Sequence, residues 1–218
     1  MNLIDPDGRD IYVTGEGAED FVSALQARTK LNVVRDESTG RISFEGKAKK
    51  KRDKLLVSIS EDDKVDVIID AVKNTDYVPG TDGDGRFTGG AHIGTSLSNG
   101  RASSKQRVNT DVLESLSQHF NGQYDFVLHE LAVAYGAGVE TLINGQEKSL
   151  GRDEGVYEVA KSYAAKISPQ APEDKMHRKF NRFDDNIYIQ GHVNSDGWEL
   201  PPTKINAKTG KRSPWNQK

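Results

Sequence analysis

The sequence contains no cysteine, and this absence removes several kinds of chemistry at once. Without thiols the chain has no disulfide, no thiolate-ligated zinc site and no cysteine nucleophile. The absence of disulfides is compatible both with the cytosol and with an exported protein, so it leaves the compartment open.

Long apolar runs and an excess of one charge are missing as well. No run approaches the roughly 20 apolar residues that a transmembrane helix requires, so we expect no membrane span. The first residues lack the apolar region of a signal peptide, so we expect any export to depend on a signal outside this sequence. Lys and Arg total 30 against 33 Asp and Glu, a net charge of −3, which argues against nucleic acid as the partner.

The residues that are present indicate a single α+β domain. Hydrophobic residues make up 34% of the 218 residues, charged residues 29%, and there are 21 glycines, a composition typical of a modest core with long polar loops. Alternation of Val65, Val67 and Ile69 predicts a strand, and other segments have helical spacing. We therefore expect a small mixed or antiparallel sheet packed on helices.

The segment Asn74–Lys105 is rich in Gly, Asp, Ser and Thr, and we expect most of it to be a long irregular loop. Within it, Gly89–Gly94 is predicted to be a strand or hairpin edge, since glycines permit another backbone to approach closely.

An adjacent histidine and glutamate stand inside the nearly all-apolar run Phe126–Tyr135. Charged groups are rarely buried without a partner or a metal ion. On a helix His129 and position 133 would share one face, and in the pattern H-E-x-x-H two such histidines bind zinc while the glutamate activates water. Here position 133 is Val133, so one expected ligand is missing. We expect this helix to end at Gly136–Gly138.

A further zinc ligand is expected from a later segment of the chain. Glu158, on a helix predicted over Asp153–Lys166, is the first choice, and Glu154 lies one turn earlier on the same face. The spacing does not decide between these and three histidines, namely His177, His192 and His92.

The run His129–Gly138 resembles the active-site helix of zincin-like metallopeptidases. More narrowly, it is similar to toxin domains attached to bacterial RHS-repeat proteins, which carry the run H-E-x-x-[EH]-[AS]-Y-x-G and a later Y-x-x-A-H. The resemblance implies zinc held by His129 and Glu130 as the general base. The chain departs from it at Val133 and at Lys161, which replaces the later histidine. The matching positions are His129, Glu130, Ala134, Tyr135, Tyr157 and Ala160.

The opening Asn2–Gly8 is similar to the junction that closes the repeat shell of RHS proteins, although it also fits an ordinary Asp-Pro turn. The resemblance implies a junction at residues 1–9, a toxin or effector domain at 10–195 and a flexible basic tail at 196–218. It also implies secretion or injection into a target cell, where the substrate is a protein. The implied partners are an immunity protein and an upstream repeat shell or secretion apparatus.

The function expected from these observations is a polymorphic-toxin effector domain that acts as a zincin-like, zinc-dependent peptidase. One alternative is a zincin scaffold without catalytic activity that acts as a binding module. Another is an ordinary buried helix in which His129 and Glu130 are hydrogen-bonded core residues. A nuclease toxin is the remaining alternative, with a histidine and a carboxylate drawn from His92, His119, His129, Asp82 and Glu114.

Overall fold

A computed structural model describes residues 10–73, 90–110, 113 and 125–148, together with the backbone of four further strands. The helices are α1 Ala18–Arg28, α2 Lys51–Ser60 and α3 Phe126–Asn144. The strands of the first sheet are β1 Ile11–Thr14, β2 Asn32–Arg35, β3 Arg41–Glu45, β4 Val65–Val72, β5 Gly90–Ser98 and β6 Arg101–Asn109. Those of the second sheet are β7 His177–Asp184, β8 Ile187–Val193, β9 Thr203–Asn206 and β10 Arg212–Pro214.

The first sheet has six strands in the order β2-β3-β1-β4-β6-β5. Strand β4 runs parallel to both β1 and β6, and the remaining neighbours are antiparallel. This arrangement confirms the predicted α+β fold with a mixed sheet packed on helices. Strand β5 begins at Gly90 and lies at the edge of the sheet, which confirms the strand or hairpin edge predicted there for residues 90–94. The rest of the β5–β6 hairpin occupies residues predicted to be an irregular loop, so that prediction was wrong for residues 95–105.

The second sheet is an antiparallel meander of four strands in the order β10-β9-β8-β7. Strands β9 and β10 fall within 196–218, the range for which the sequence predicts a flexible basic tail.

One face of the first sheet carries the hydrophobic core. Alternate residues of β4, Val65, Val67 and Ile69, are fully buried and pack with residues of β1 and all three helices in one cluster. On the opposite face, Asp66 forms an ion pair with Arg101 at 2.6 Å and Asp70 forms one with Arg107 at 2.8 Å. The period of two in β4 therefore separates a helix-covered face from a charged one.

Helix α3 continues beyond the glycines at which we expected it to end. It ends at Asn144, with Gly145 in the left-handed conformation at φ 65°. A Cβ placed on Gly138 would lie 2.5 Å from Cγ1 of Val65, so this glycine allows α3 to approach β4 closely. The glycine is a packing residue, and the prediction that it terminates the helix was wrong.

Among the described helices, α3 alone is long and apolar enough to pass a simple test for a membrane span, with a mean hydropathy of 1.3. However, 67% of the apolar window is buried within the domain, as in the central helix of a globular protein. The helix is therefore consistent with the expectation of no membrane span.

Candidate functional site

Both residues of the His-Glu pair lie at the start of α3, which is firmly anchored. The Asp125 side chain caps the helix by accepting a hydrogen bond from the Leu128 amide at 3.1 Å, and the same oxygen accepts from Arg28 Nε at 2.9 Å. Arg52 of α2 approaches the second oxygen of Asp125 at 3.7 Å. Side chains of α1 and α2 thus hold the first turn of α3, which suits a site that needs fixed geometry.

The tyrosine of the motif also anchors the helix. The hydroxyl of Tyr135 donates a hydrogen bond to Asp62 Oδ2 at 2.5 Å, in the turn between α2 and β4. The described contact of Tyr135 is thus structural.

The Glu130 side chain extends from α3 to the β5–β6 hairpin. Its Oε2 accepts a hydrogen bond from Gln106 Nε2 of β6. The carboxylate also lies directly against Gly90 of β5. The two are so close that a Cβ built on that glycine would overlap the carboxyl group. A glycine-permitted close approach was predicted in this segment, but the group that approaches is a carboxylate and not a second backbone.

Further polar side chains line the same interface, and we call this set the polar layer. His92 pairs across the strands with Gln106, and Thr95 pairs with Ser104. His92 Nε2 lies 3.3 Å from Ser104 Oγ, and the hydroxyls of Thr95 and Thr141 are hydrogen-bonded at 2.7 Å. The polar layer comprises His92, Thr95, Ser104 and Gln106 of the hairpin with Glu130 and Thr141 of α3.

Four members of the polar layer are buried, and His92 and Glu130 are half-buried. Ser104 and Thr141 are fully buried and Gln106 is 2% exposed. Burial lowers the pKa of His92 from 6.5 to about 4, so its imidazole is neutral at pH 7. Gln106 Oε1 is buried and has no hydrogen-bond partner within the described part of the chain. Buried polar groups with an unused acceptor are uncommon and mark a candidate functional site.

The His129 imidazole meets one requirement of a zinc ligand. Its Nδ1 is buried and has no hydrogen-bond partner among the residues described. Val133, one turn later, is 7% exposed and belongs to the hydrophobic core, so it supplies no ligand atom. Across residues 10–73, 90–110, 113 and 125–148, no three His, Asp or Glu side chains converge as a zinc site requires. These residues therefore fit only part of a zinc site.

Most of the other predicted site residues lie outside the part of the chain that the structure describes. Glu158, the predicted second ligand, is among them. His177 and His192 occupy β7 and β8 of the second sheet, where the backbone alone is described. The residues outside the described ranges are Glu158, Glu154, Lys161, His119, Asp82 and Glu114.

Sequence reasoning missed Gln106, Ser104 and Gly90 as members of the site. A signal for the first two was present in β6, where alternate residues face the core: Ala102, Ser104, Gln106 and Val108. Polar residues at core-facing positions of a strand are unusual, but a reader of the sequence can recognise them only after the strand itself has been assigned.

Comparison with known proteins adds no family to this geometry. No protein-family model matches the sequence, and neither the curated proteins nor the solved structures gave a match.

Proposed function

We propose that this chain is the effector domain of a bacterial polymorphic toxin and that it hydrolyses a peptide bond in a protein of the target cell. The observation that carries the proposal is the Glu130 carboxylate, which is held in the polar layer by Gln106. Placing a carboxylate in a helix–sheet interface costs free energy, and such an arrangement is typical of groups kept for chemistry.

Glu130 is the proton acceptor in this proposal. The Gln106 hydrogen bond fixes Oε2, and the carboxylate takes the proton from the attacking water. The core packing of α3 keeps the position of Glu130 fixed during the proton transfer.

His129 and, as a proposed second ligand, Glu158 would hold the metal ion. The buried Nδ1 of His129 is the atom that supports this role. A bound zinc ion would supply Lewis acidity and lower the pKa of water to about 7.

The proposed partners follow from the resemblance of the two motifs to RHS-associated toxins. They are an immunity protein, an upstream repeat shell or secretion apparatus, and the protein substrate, with the domain secreted or injected. The encoding gene tests this part. We expect it to continue upstream into repeats and to be followed by a small gene whose product protects cells that express the toxin. A gene that lacks both features contradicts it.

A zincin scaffold that binds a partner without catalysis is the second candidate. It is favoured by the position of Val133 in the hydrophobic core, where the resemblance requires a zinc ligand. This candidate retains the same fold and the same polar layer but binds no zinc.

Zinc analysis of the purified chain, combined with two variants, separates these possibilities. We expect one zinc per chain, its loss in His129→Ala, and loss of target-cell toxicity in Glu130→Gln. Zinc-free but toxic protein whose toxicity survives Glu130→Gln contradicts the peptidase. If that protein cleaves nucleic acid, the nuclease alternative replaces the peptidase proposal. If it cleaves nothing but binds a host protein, the binding-module alternative replaces the peptidase proposal.

A further inference from the structure

We propose that Gln106 and Gly90 are positioning residues for Glu130: Gln106 fixes one carboxylate oxygen by a hydrogen bond, and Gly90 leaves the space in which the carboxylate lies. This inference rests on the proposed role of Glu130 as proton acceptor. Neither residue would touch the substrate, so each acts through Glu130.

Gln106 is placed where an aliphatic side chain would be expected. It stands between Ser104 and Val108 on the core-facing side of β6 and is 2% exposed. Its Nε2 donates to Glu130, while its Oε1 finds no partner within the described ranges. A buried amide whose oxygen accepts no hydrogen bond costs free energy, so we attribute the presence of Gln106 at this position to the hydrogen bond that its Nε2 donates.

The neighbour of Gln106 across the hairpin has a different described hydrogen-bond partner. His92 is paired with Gln106 in the register of β5 and β6, yet its Nε2 is directed to Ser104 Oγ at 3.3 Å. The two side chains therefore have separate partners, and Gln106 Nε2 is left to Glu130.

Gly90 is required for space and not for backbone conformation. Its φ is outside the positive range that favours glycine, so an alanine would adopt the same backbone without strain. The Cβ of that alanine, however, would overlap the Glu130 carboxyl group. Gly90→Ala is thus a steric probe of the carboxylate position. Gly138→Ala is its matched control, because its Cβ would meet Val65 Cγ1 in the same interface without reaching Glu130.

The test measures the carbon-13 chemical shift of the labelled Glu130 carboxyl group at one neutral pH in the full chain, since this shift reports the hydrogen bonding of the group. We expect Gln106→Met, which has similar length and no donor, to change the shift relative to the unaltered chain, because a hydrogen bond to the carboxylate is lost. Gly90→Ala should also change it, and Gly138→Ala should leave it unchanged. Gln106→Asn, which keeps the amide but is too short to reach, should behave like Gln106→Met.

Two further readouts keep the inference testable if a variant folds poorly. Gly90→Ala should lower the melting temperature less in a Glu130→Asp background, because the shorter carboxylate frees the space. In target cells, Gln106→Met should reduce toxicity about tenfold, a fraction of the roughly 10²–10⁴-fold that a positioned proton acceptor contributes.

An unchanged carboxyl chemical shift of Glu130 in folded Gln106→Met and Gly90→Ala overturns the inference, as does an equal loss of melting temperature in both backgrounds. Failure of the proposed function looks different. In that case Glu130→Gln remains toxic, while the carboxyl chemical shifts still show whether the carboxylate is positioned.

Discussion

Acidification should destabilise this domain through His92, and the structure gives the magnitude. Burial lowers the pKa of this imidazole from 6.5 to about 4, so the folded chain resists protonation while the unfolded chain accepts a proton near the ordinary pKa. The unfolded state then binds more protons, and the free energy of unfolding falls as the pH drops from 6.5 to about 4.

A pKa difference of one unit corresponds to about 1.4 kcal/mol, so the full effect is about 3 kcal/mol below pH 4. Between about pH 7.5 and about pH 5, the same difference amounts to a loss of about 2 kcal/mol. That loss is a substantial part of the roughly 5–15 kcal/mol by which domains are stable.

Urea unfolding at several pH values measures this effect, with His92→Gln as the control. Glutamine cannot titrate and places a polar atom near the position of the His92 Nε2 that contacts Ser104. Because all other titratable groups are shared, the difference between the two chains isolates His92. A chelator in the buffer removes any contribution from bound metal ions.

We expect the unaltered chain to lose about 2 kcal/mol more than His92→Gln between about pH 7.5 and about pH 5. Parallel pH profiles of the two chains would show that the imidazole is not desolvated in the polar layer, and the reasoning on this interface would be refuted.

Other predictions follow from contacts outside the polar layer. Asp125→Ala should lower the free energy of unfolding by about 2–3 kcal/mol in urea unfolding, because it removes the cap of α3 and the ion pair between Asp125 and the largely buried Arg28. Asp125→Asn keeps a capping side chain, so equal stability of the two variants would contradict this. Hydrogen bonds from Ser38 and Thr39 lower the pKa of Asp36 to about 2. The charge on Asp36 therefore stabilises the β2–β3 hairpin above pH 3.8, and this stabilisation is lost as the pH falls to about 2. Amide hydrogen exchange in the hairpin should show this acid dependence, and Asp36→Asn should abolish it. Val133→His should raise zinc affinity at least about tenfold in calorimetry, because it places a second imidazole one turn after His129; unchanged affinity would mean that the two positions do not face a common ion.

Elements defined by local periodicity were predictable from the sequence. The alternation from Val65 to Ile69 identified β4. The turn Asp36–Gly40 between β2 and β3 carries a comparable local signal, with Gly40 at φ 81° as such a turn requires. In both cases the residues that determine the structure are neighbours in the chain.

The β5–β6 hairpin was not predictable in the same way. Its strands are rich in Ser, Gly and Thr, and β6 is stabilised by parallel pairing with β4 over eight residues. That pairing joins residues 37 positions apart, such as Val65 and Ala102, so no local pattern predicts it. The continuation of α3 through Gly138 has the same cause, since the reason for the glycine is Val65 on another element.

The site was predictable only in part for a related reason. A His-Glu pair in an apolar run is anomalous in the sequence itself, so His129 and Glu130 could be identified directly. Gln106 and Gly90 carry no such mark. They belong to the site because the strand register places them opposite α3, 24 and 40 positions before Glu130 in the chain.

Target-cell killing by Glu130→Gln, at matched expression, tests the central claim most directly. Glu140→Gln is the control, since Glu140 is a second buried carboxylate on α3 and lies outside the proposed site. The account predicts that Glu130→Gln folds, with Gln106 still bonded to the new amide oxygen, and loses toxicity while Glu140→Gln retains it. Full toxicity of folded Glu130→Gln would contradict the account.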